Sequence, residues 1–175
     1  MQAQLKLATT LTEKFILLRR AVNPQSTAPE AMIMNDLNIG PPVDKTSGDG
    51  HKNGANYELK FSLHTKDGSF NFVQIRPDHT VDFYLMGGYN LFEGDLGRAY
   101  ICKIPAEVVY GLLPEYGGYA HGTVGKLGKI TCDNIKGRNC EYALRPNPNA
   151  RENTKSKNLW DILSAYEIEY LPENV

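Results

Sequence analysis

Residues 48–62 read GDGHKNGANYELKFS and combine a turn signal with charged residues on a β-prone run. Asn53-Gly54 is typical of a tight hairpin turn, which would bring Asp49 back beside Glu58. Because successive side chains of a strand point to opposite faces, Glu58 and Lys60 are expected on the same face. The stretch therefore predicts two carboxylates and an ammonium group within one small patch.

The chain around this motif alternates between helical and strand-like patterns. Apolar residues at spacings of three and four predict helices, and β-branched and aromatic runs bounded by turn residues predict strands. We expect helices over Leu5–Val22, Ala28–Leu37, Pro105–Leu113 and Trp160–Tyr166, and strands over Asn56–His64, Phe70–Ile75, Val81–Leu91, Arg98–Ile104 and Tyr166–Leu171. The strand over Phe70–Ile75 is expected to lie beside the motif strand. The pattern predicts an α/β fold with a mixed central β-sheet flanked by helices.

Length and cysteine content place the chain in a broad class. At 175 residues, one domain spanning 1–175 is the simplest organisation, with a helical part over 1–40, a core over 44–113 and a loop-rich part over 117–157. No apolar run approaches the roughly 20 residues of a membrane helix, and no secretory signal is visible. The three cysteines form no CxxC pair, which favours a reducing, cytoplasmic compartment.

Charge is unevenly distributed although the net charge is only −1. Between His121 and Lys157 there are eight basic and three acidic residues, a local charge of +5. Between Pro77 and Ala120 there are two basic and six acidic residues, a local charge of −4. Such segregation is typical of a protein with one phosphate-facing side, although a solvated, charge-rich loop would give the same pattern.

The residue types in the motif suit hydrolysis of a phosphodiester. Mg²⁺ is usually held by one or two carboxylates together with waters and substrate phosphate. Asp49 and Glu58 would supply the carboxylates, and the backbone carbonyl of Leu59 is placed to add a third oxygen. Lys60 could orient the attacking water or stabilise developing negative charge. Without Asp49 and the turn, Glu58 and Lys60 would be an ordinary surface ion pair.

The stretch Gly48–Ser62 resembles the catalytic motif of the PD-(D/E)xK nucleases, and in particular the orthodox Type II restriction endonucleases. The stretches Phe70–Pro77, Asp82–Leu85 and Tyr119–Val124 resemble the segments on the C-terminal side of the motif in several such enzymes. The resemblance covers roughly residues 44–166, and only the motif itself is specific. It implies a restriction-endonuclease-like core, Mg²⁺-dependent cutting of double-stranded DNA at a specific short site, and a 5′-phosphate product.

Carried over by position, the resemblance assigns the metal-binding acid to Asp49, the second acid to Glu58 and the catalytic lysine to Lys60. One position departs from the family pattern, because Gly48 stands where the proline before the first acid is expected. Asp44 therefore remains an alternative first metal ligand. Some members add a glutamate from an N-terminal helix, for which Glu13 and Glu30 are both candidates.

Several residues outside the motif are candidates for DNA contact. Gln74 and Arg76 lie at the end of the strand that is expected beside the motif strand, and alternation puts both on one face; a structural hydrogen-bonding role is the alternative for both. His64 flanks the motif. The loop from His121 to Lys129 is rich in glycine and cations and could approach a groove, or be a simple surface hairpin. From it we take His121, Thr123, Lys126 and Lys129 as candidate contacts.

The expected function is that of a type II site-specific deoxyribonuclease. Cutting both strands of a palindrome is most simply done by a homodimer, because protein symmetry then mirrors site symmetry. Two alternatives remain open: a repair or recombination nuclease that reads DNA structure, and a non-catalytic DNA-binding module with a decayed site.

Overall fold

The computed structural model of the protein describes residues 10, 12–14, 28–64, 69–90, 92–93, 97–120, 127–136 and 140–175. We number the helices and strands in chain order. The helices are α1 (Ala28–Asp36), α2 (Ala106–Tyr116) and α3 (Lys155–Ser164). The strands are β1 (Gly50–Lys52), β2 (Ala55–Leu63), β3 (Phe72–Ile75), β4 (Phe83–Asn90), β5 (Arg98–Pro105), β6 (Gly118–Tyr119) and β7 (Tyr142–Leu144). Residues 12–14 are helical, and most of the predicted helix over Leu5–Val22 lies outside the described residues.

The predicted hairpin turn is confirmed between β1 and β2. Asn53 and Gly54 both have positive φ values, 52° and 82°, as a two-residue turn that matches the strand twist requires. The strands pair antiparallel with Gly50 opposite Tyr57. This register brings the residues before β1 alongside the middle of β2.

The central sheet is mixed, as predicted, with strand order β1-β2-β4-β5. β2 and β4 run parallel, with Glu58 opposite Tyr84 and Lys60 opposite Met86. The β1–β2 and β4–β5 pairs are antiparallel. Helices flank the sheet on both faces, so the fold is mixed α/β.

Each face of the central sheet carries its own apolar cluster. On one face, Tyr57, Leu59 and Leu85 pack against Ile33 and Leu37 at α1. On the other face, residues of β4 and β5 pack against α2, α3 and the second sheet; this cluster includes Tyr84, Met86, Ile104, Val109 and Leu163. Strand β2 thus lies between two separate cores, and its polar residues face the second.

The prediction that the strand over Phe70–Ile75 lies beside β2 is wrong. β3 pairs with β7 in a second sheet of order β3-β7-β6, which covers one face of the central sheet. Phe72 and Ile75 are buried at 3% and 0% exposure in that interface. The edge of β2 beyond β1 is instead used by carboxylates, because Leu59 N–H and Phe61 N–H donate to acidic side chains there.

Two boundaries near the C-terminal end also differ from expectation. The predicted strand over Tyr166–Leu171 is wrong, since it makes only a single bridge, Glu167 to Cys102, before a 3-10 helix over Pro172–Asn174. The last helix begins earlier than expected because the Thr154 side chain accepts a hydrogen bond from Lys157 N–H and caps it. No helix in the part of the chain that the structure describes is long and apolar enough to cross a membrane.

Candidate active site

A cleft with a volume of about 330 Å³ opens over β2 where the motif predicted a catalytic patch. Its charged lining combines three carboxylates with four basic side chains. The carboxylates are Glu30, Asp49 and Glu58, and the basic side chains are Lys45, Lys60, Arg76 and His79. Gly48, Phe61, Val73 and Gln74 complete the lining. Side chains of both signs therefore share one cleft.

Glu58 and Lys60 form a buried ion pair in this cleft. The Lys60 Nζ lies 2.7 Å from Glu58 Oε1, and the two residues are only 9% and 3% exposed. Both project from the same face of β2, as strand alternation requires. Burial raises the pKa of Glu58, and the Asp49 charge adds to this, whereas the Lys60 ammonium opposes it. Keeping this ion pair buried therefore costs free energy, because both charges are removed from water.

Asp49 is fixed at the edge of β2 by backbone hydrogen bonds. Its Oδ2 accepts a bond of 2.8 Å from Leu59 N–H, and its own N–H donates to the Tyr57 carbonyl, also at 2.8 Å. Because the N–H and C=O of one strand residue point to the same side, the Leu59 carbonyl faces this edge too. The carboxylate of Asp49 and the peptide of Leu59 are thereby brought next to Glu58.

Asp44, the alternative first metal ligand, has a different role. Its Oδ1 accepts hydrogen bonds from the Thr46 N–H at 2.7 Å and from the Thr46 hydroxyl at 2.8 Å. These bonds lower the pKa of the Asp44 carboxyl. The side chain closes a local turn in the loop before β1. Of the two acids, the geometry therefore favours Asp49 for the cleft.

The backbone conformation at Gly48 excludes proline. Its φ is +78°, and a Cβ at this position would lie 2.5 Å from the Tyr57 carbonyl oxygen. Proline is restricted to a φ near −65°, and any side chain would collide with β2. The close approach of the Gly48 backbone to β2 is what allows Asp49 to reach the Leu59 N–H.

Between the two candidate helical glutamates, Glu30 lines the cleft. It projects from α1, and its Oε1 accepts a hydrogen bond of 3.3 Å from Phe61 N–H, one step along the β2 edge from Leu59. Burial raises the pKa of Glu30, with the Asp49 and Glu58 charges adding to the effect and Lys60 opposing it. Glu13 instead makes reciprocal hydrogen bonds with Thr10.

Of the predicted DNA-contact residues, some line the cleft and others do not. Gln74 and Arg76 line the cleft, although Gln74 has a φ of 59° at an irregularity in β3 and Arg76 Nε donates to Glu141 at 2.9 Å. His64 is 4% exposed and packs beside Phe70 and Phe92. DNA contact by His64 would therefore need these neighbours to move. Lys129 is exposed, and His121, Thr123 and Lys126 lie outside the described residues.

Sequence reasoning missed Lys45 and His79. Lys45 sits in the loop before β1, and His79 sits between β3 and β4, so no shared motif connects them. The Asp-His-Thr turn at residues 78–80 carried no chemical signature of its own. Their placement in the cleft depends on long-range contacts between loops.

The donor atoms of the cleft fit a hard divalent cation. Asp49 and Glu58 could supply carboxylate oxygens, and Mg²⁺ characteristically takes one or two carboxylates with the rest of its shell from water and substrate. Within the described ranges, no three His, Cys, Asp or Glu side chains are grouped to hold an ion together.

No family model, no curated protein and no solved structure matches this chain.

Proposed function

We propose that the protein is a Mg²⁺-dependent endonuclease that cleaves double-stranded DNA at a specific short sequence, with a restriction-endonuclease-like core. The observation that carries this proposal is the convergence of Asp49, Glu58 and Lys60 in one cleft. Asp49 bonds to the Leu59 N–H at 2.8 Å, and Lys60 pairs with Glu58 at 2.7 Å. The motif departs from the family pattern only at Gly48, and the φ of that residue accounts for the departure.

The reaction we propose is hydrolysis of the P–O3′ bond. Water attacks the phosphorus and gives up a proton to the solvent, the P–O3′ bond breaks, the O3′ atom takes up a proton from the solvent, and the phosphate stays on the 5′ end. Asp49, Glu58 and the Leu59 carbonyl would hold Mg²⁺, which would neutralise charge on the phosphate and lower the pKa of water. Lys60 holds the attacking water and stabilises the growing negative charge. Glu30 is placed to add a carboxylate at the same edge.

The proposed partners are those that the substrate requires. A palindromic site is most simply cut by a homodimer, with one cleft on each strand. The basic region over 117–157 is proposed to contact the DNA. Cys102, Cys132 and Cys140 are free thiols, which fits a reducing compartment such as the cytoplasm.

The test is digestion of a long, sequenced DNA with Mg²⁺, followed by mapping of the ends. We expect discrete fragments with 5′-phosphates. Asp49→Asn and Lys60→Ala should each lower the cleavage rate by roughly 10²–10⁴-fold, the usual range for loss of acid–base or electrostatic catalysis. Asp44→Asn is the matched control and should cut at close to the wild-type rate.

Three outcomes would count against this proposal in different ways. Full cutting by Lys60→Ala would remove the catalytic assignment. A smear, or cutting only at junctions, would favour a nuclease that reads DNA structure. A folded wild-type chain that cuts no DNA with Mg²⁺ or Mn²⁺ would favour a binding module.

A further inference from the structure

Two basic side chains in the cleft, Lys45 and His79, have no part in the hydrolysis described above. We propose that they form a subsite that binds a phosphate group of the DNA backbone and so positions the strand over Asp49 and Glu58. This inference rests on the proposed nuclease function. It adds the residues that hold the substrate to those that act on the bond.

The two loops that carry Lys45 and His79 are tied together. Thr80 N–H donates to the Thr46 carbonyl at 2.8 Å, which joins the residue after His79 to the residue after Lys45. On one side, the Asp44 carboxylate accepts from the Thr46 N–H at 2.7 Å and fixes the turn around Lys45. On the other side, His79 N–H donates to the Arg76 carbonyl at 3.1 Å. Lys45 and His79 are therefore presented by neighbouring, hydrogen-bonded loops.

His79 carries a polar atom without a protein partner. Its Nδ1 is buried and makes no hydrogen bond within the described part of the chain. A buried polar atom left without a partner costs free energy, and a turn of the His79 ring would present a nitrogen to a ligand in the cleft that this residue lines. An imidazole offers one N–H donor even when neutral, so it can bind a phosphate oxygen without a change in its protonation.

Lys45 differs in its ion pairing from the other two long basic side chains of the cleft, Lys60 and Arg76. Lys60 pairs with Glu58 and Arg76 pairs with Glu141. Lys45 is exposed and has no ion-pair partner in the described ranges. A cation that no protein carboxylate neutralises is available to a phosphate, and phosphate contacts from Lys and Arg dominate the affinity for DNA.

The experiment measures binding of a short fluorescein-labelled duplex by anisotropy in EDTA, over a series of salt concentrations. Phosphate contacts do not depend on sequence, so a duplex of arbitrary sequence is a sufficient probe. Lys45→Ala should lower the slope of log Kd against log salt by about one, because one phosphate contact is lost. His79→Ala should weaken binding about tenfold, the usual size for a hydrogen bond to a charged group.

The control variants separate binding from folding. Lys45→Arg should keep the wild-type slope, because the charge is retained. His51→Gln is the matched histidine control, since His51 Nδ1 already pairs with the Asn56 side chain at 2.8 Å. In cleavage assays with Mg²⁺, Lys45→Ala and His79→Ala should raise KM more than they lower kcat, as expected for residues that hold substrate and transition state alike.

The possible failures are distinguishable. If the wild-type chain binds and cuts DNA while Lys45→Ala and His79→Ala keep its Kd and salt slope, the subsite is wrong and the nuclease proposal stands. If the wild-type chain neither binds nor cuts DNA, both are wrong. Should His79→Ala fail to fold, the exposed Lys45 decides the outcome alone, because its truncation removes no buried contact.

Discussion

The two faces of strand β2 are equally buried but have opposite energetic character. On one face Tyr57 and Leu59, at 2% and 1% exposure, pack on the cluster under α1. On the other face Glu58 and Lys60 are 3% and 9% exposed. Burying a leucine contributes about 1.5–3 kcal/mol, whereas removing two charges from water costs several kcal/mol, which their attraction only partly offsets. One strand therefore stabilises the fold on one side and maintains a costly polar site on the other.

The largest expected effect comes from leaving one charge of the polar face unpaired. Lys60→Met should lower the free energy of unfolding by about 3–5 kcal/mol, because Glu58 is left charged and buried. Adding Glu58→Leu should restore wild-type stability or exceed it, because the desolvation cost of both charges is then absent. Urea denaturation measures both variants, and neither should cut DNA. A double variant as unstable as the single one would show that the pair stabilises the fold.

Truncation on the apolar face should give the next largest effect. Leu59→Ala should lower the free energy of unfolding by about 2–5 kcal/mol, because it removes buried contacts and leaves a cavity. Leu171→Ala is the matched control, since Leu171 is 41% exposed and its truncation should change stability by no more than about 0.5 kcal/mol. A loss below about 1 kcal/mol would mean that the two faces of β2 do not differ as described.

The sequence was sufficient to predict those features of β2 that depend on residues close together in the chain. The Asn53-Gly54 turn and the assignment of Glu58 and Lys60 to one face of β2 depend on neighbouring residues, and both are confirmed. Strand β3 was misplaced because its partner, β7, lies about seventy residues further along the chain, beyond the reach of a local pattern. The mixed sheet could be predicted from the strand signals, but the strand order could not.

The composition of the cleft shows the same limit. Glu30 meets Phe61 across 31 residues, and His79 reaches the cleft through a loop bond between Thr80 and Thr46. No spacing rule anticipates such contacts, because they are set by how α1 and the loops pack on the sheet. The need for glycine at position 48 is likewise visible only in the fold, because its φ is positive and a Cβ there would lie 2.5 Å from the Tyr57 carbonyl oxygen.

Glu30 projects from α1, which packs on the apolar face of β2, and it lines the cleft with Glu58 and Lys60. Its replacement should give the smallest of these effects. Burial raises its pKa above the ordinary value of 4.5, with Asp49 and Glu58 adding to the effect. The unfolded chain therefore loses this proton at a lower pH than the folded protein does. Stability contributed by protonated Glu30 is complete below pH 4.5 and is lost as the pH rises through the folded-state value.

Glu30→Gln cannot ionise, and its amide oxygen can still accept the hydrogen bond from Phe61 N–H. At pH 7 this variant should be more stable than the wild type by about 0.5–1 kcal/mol, at the low end for relief of an active-site charge because the side chain is only half-buried. The gain should shrink to nothing below pH 4.5, which thermal denaturation across pH can follow. Glu107→Gln, which removes the same charge from the exposed first turn of α2, should show no such gain. If the difference in stability between Glu30→Gln and wild type were the same at every pH, ionisation of Glu30 would not destabilise the fold. The destabilisation would then come from Glu58 alone.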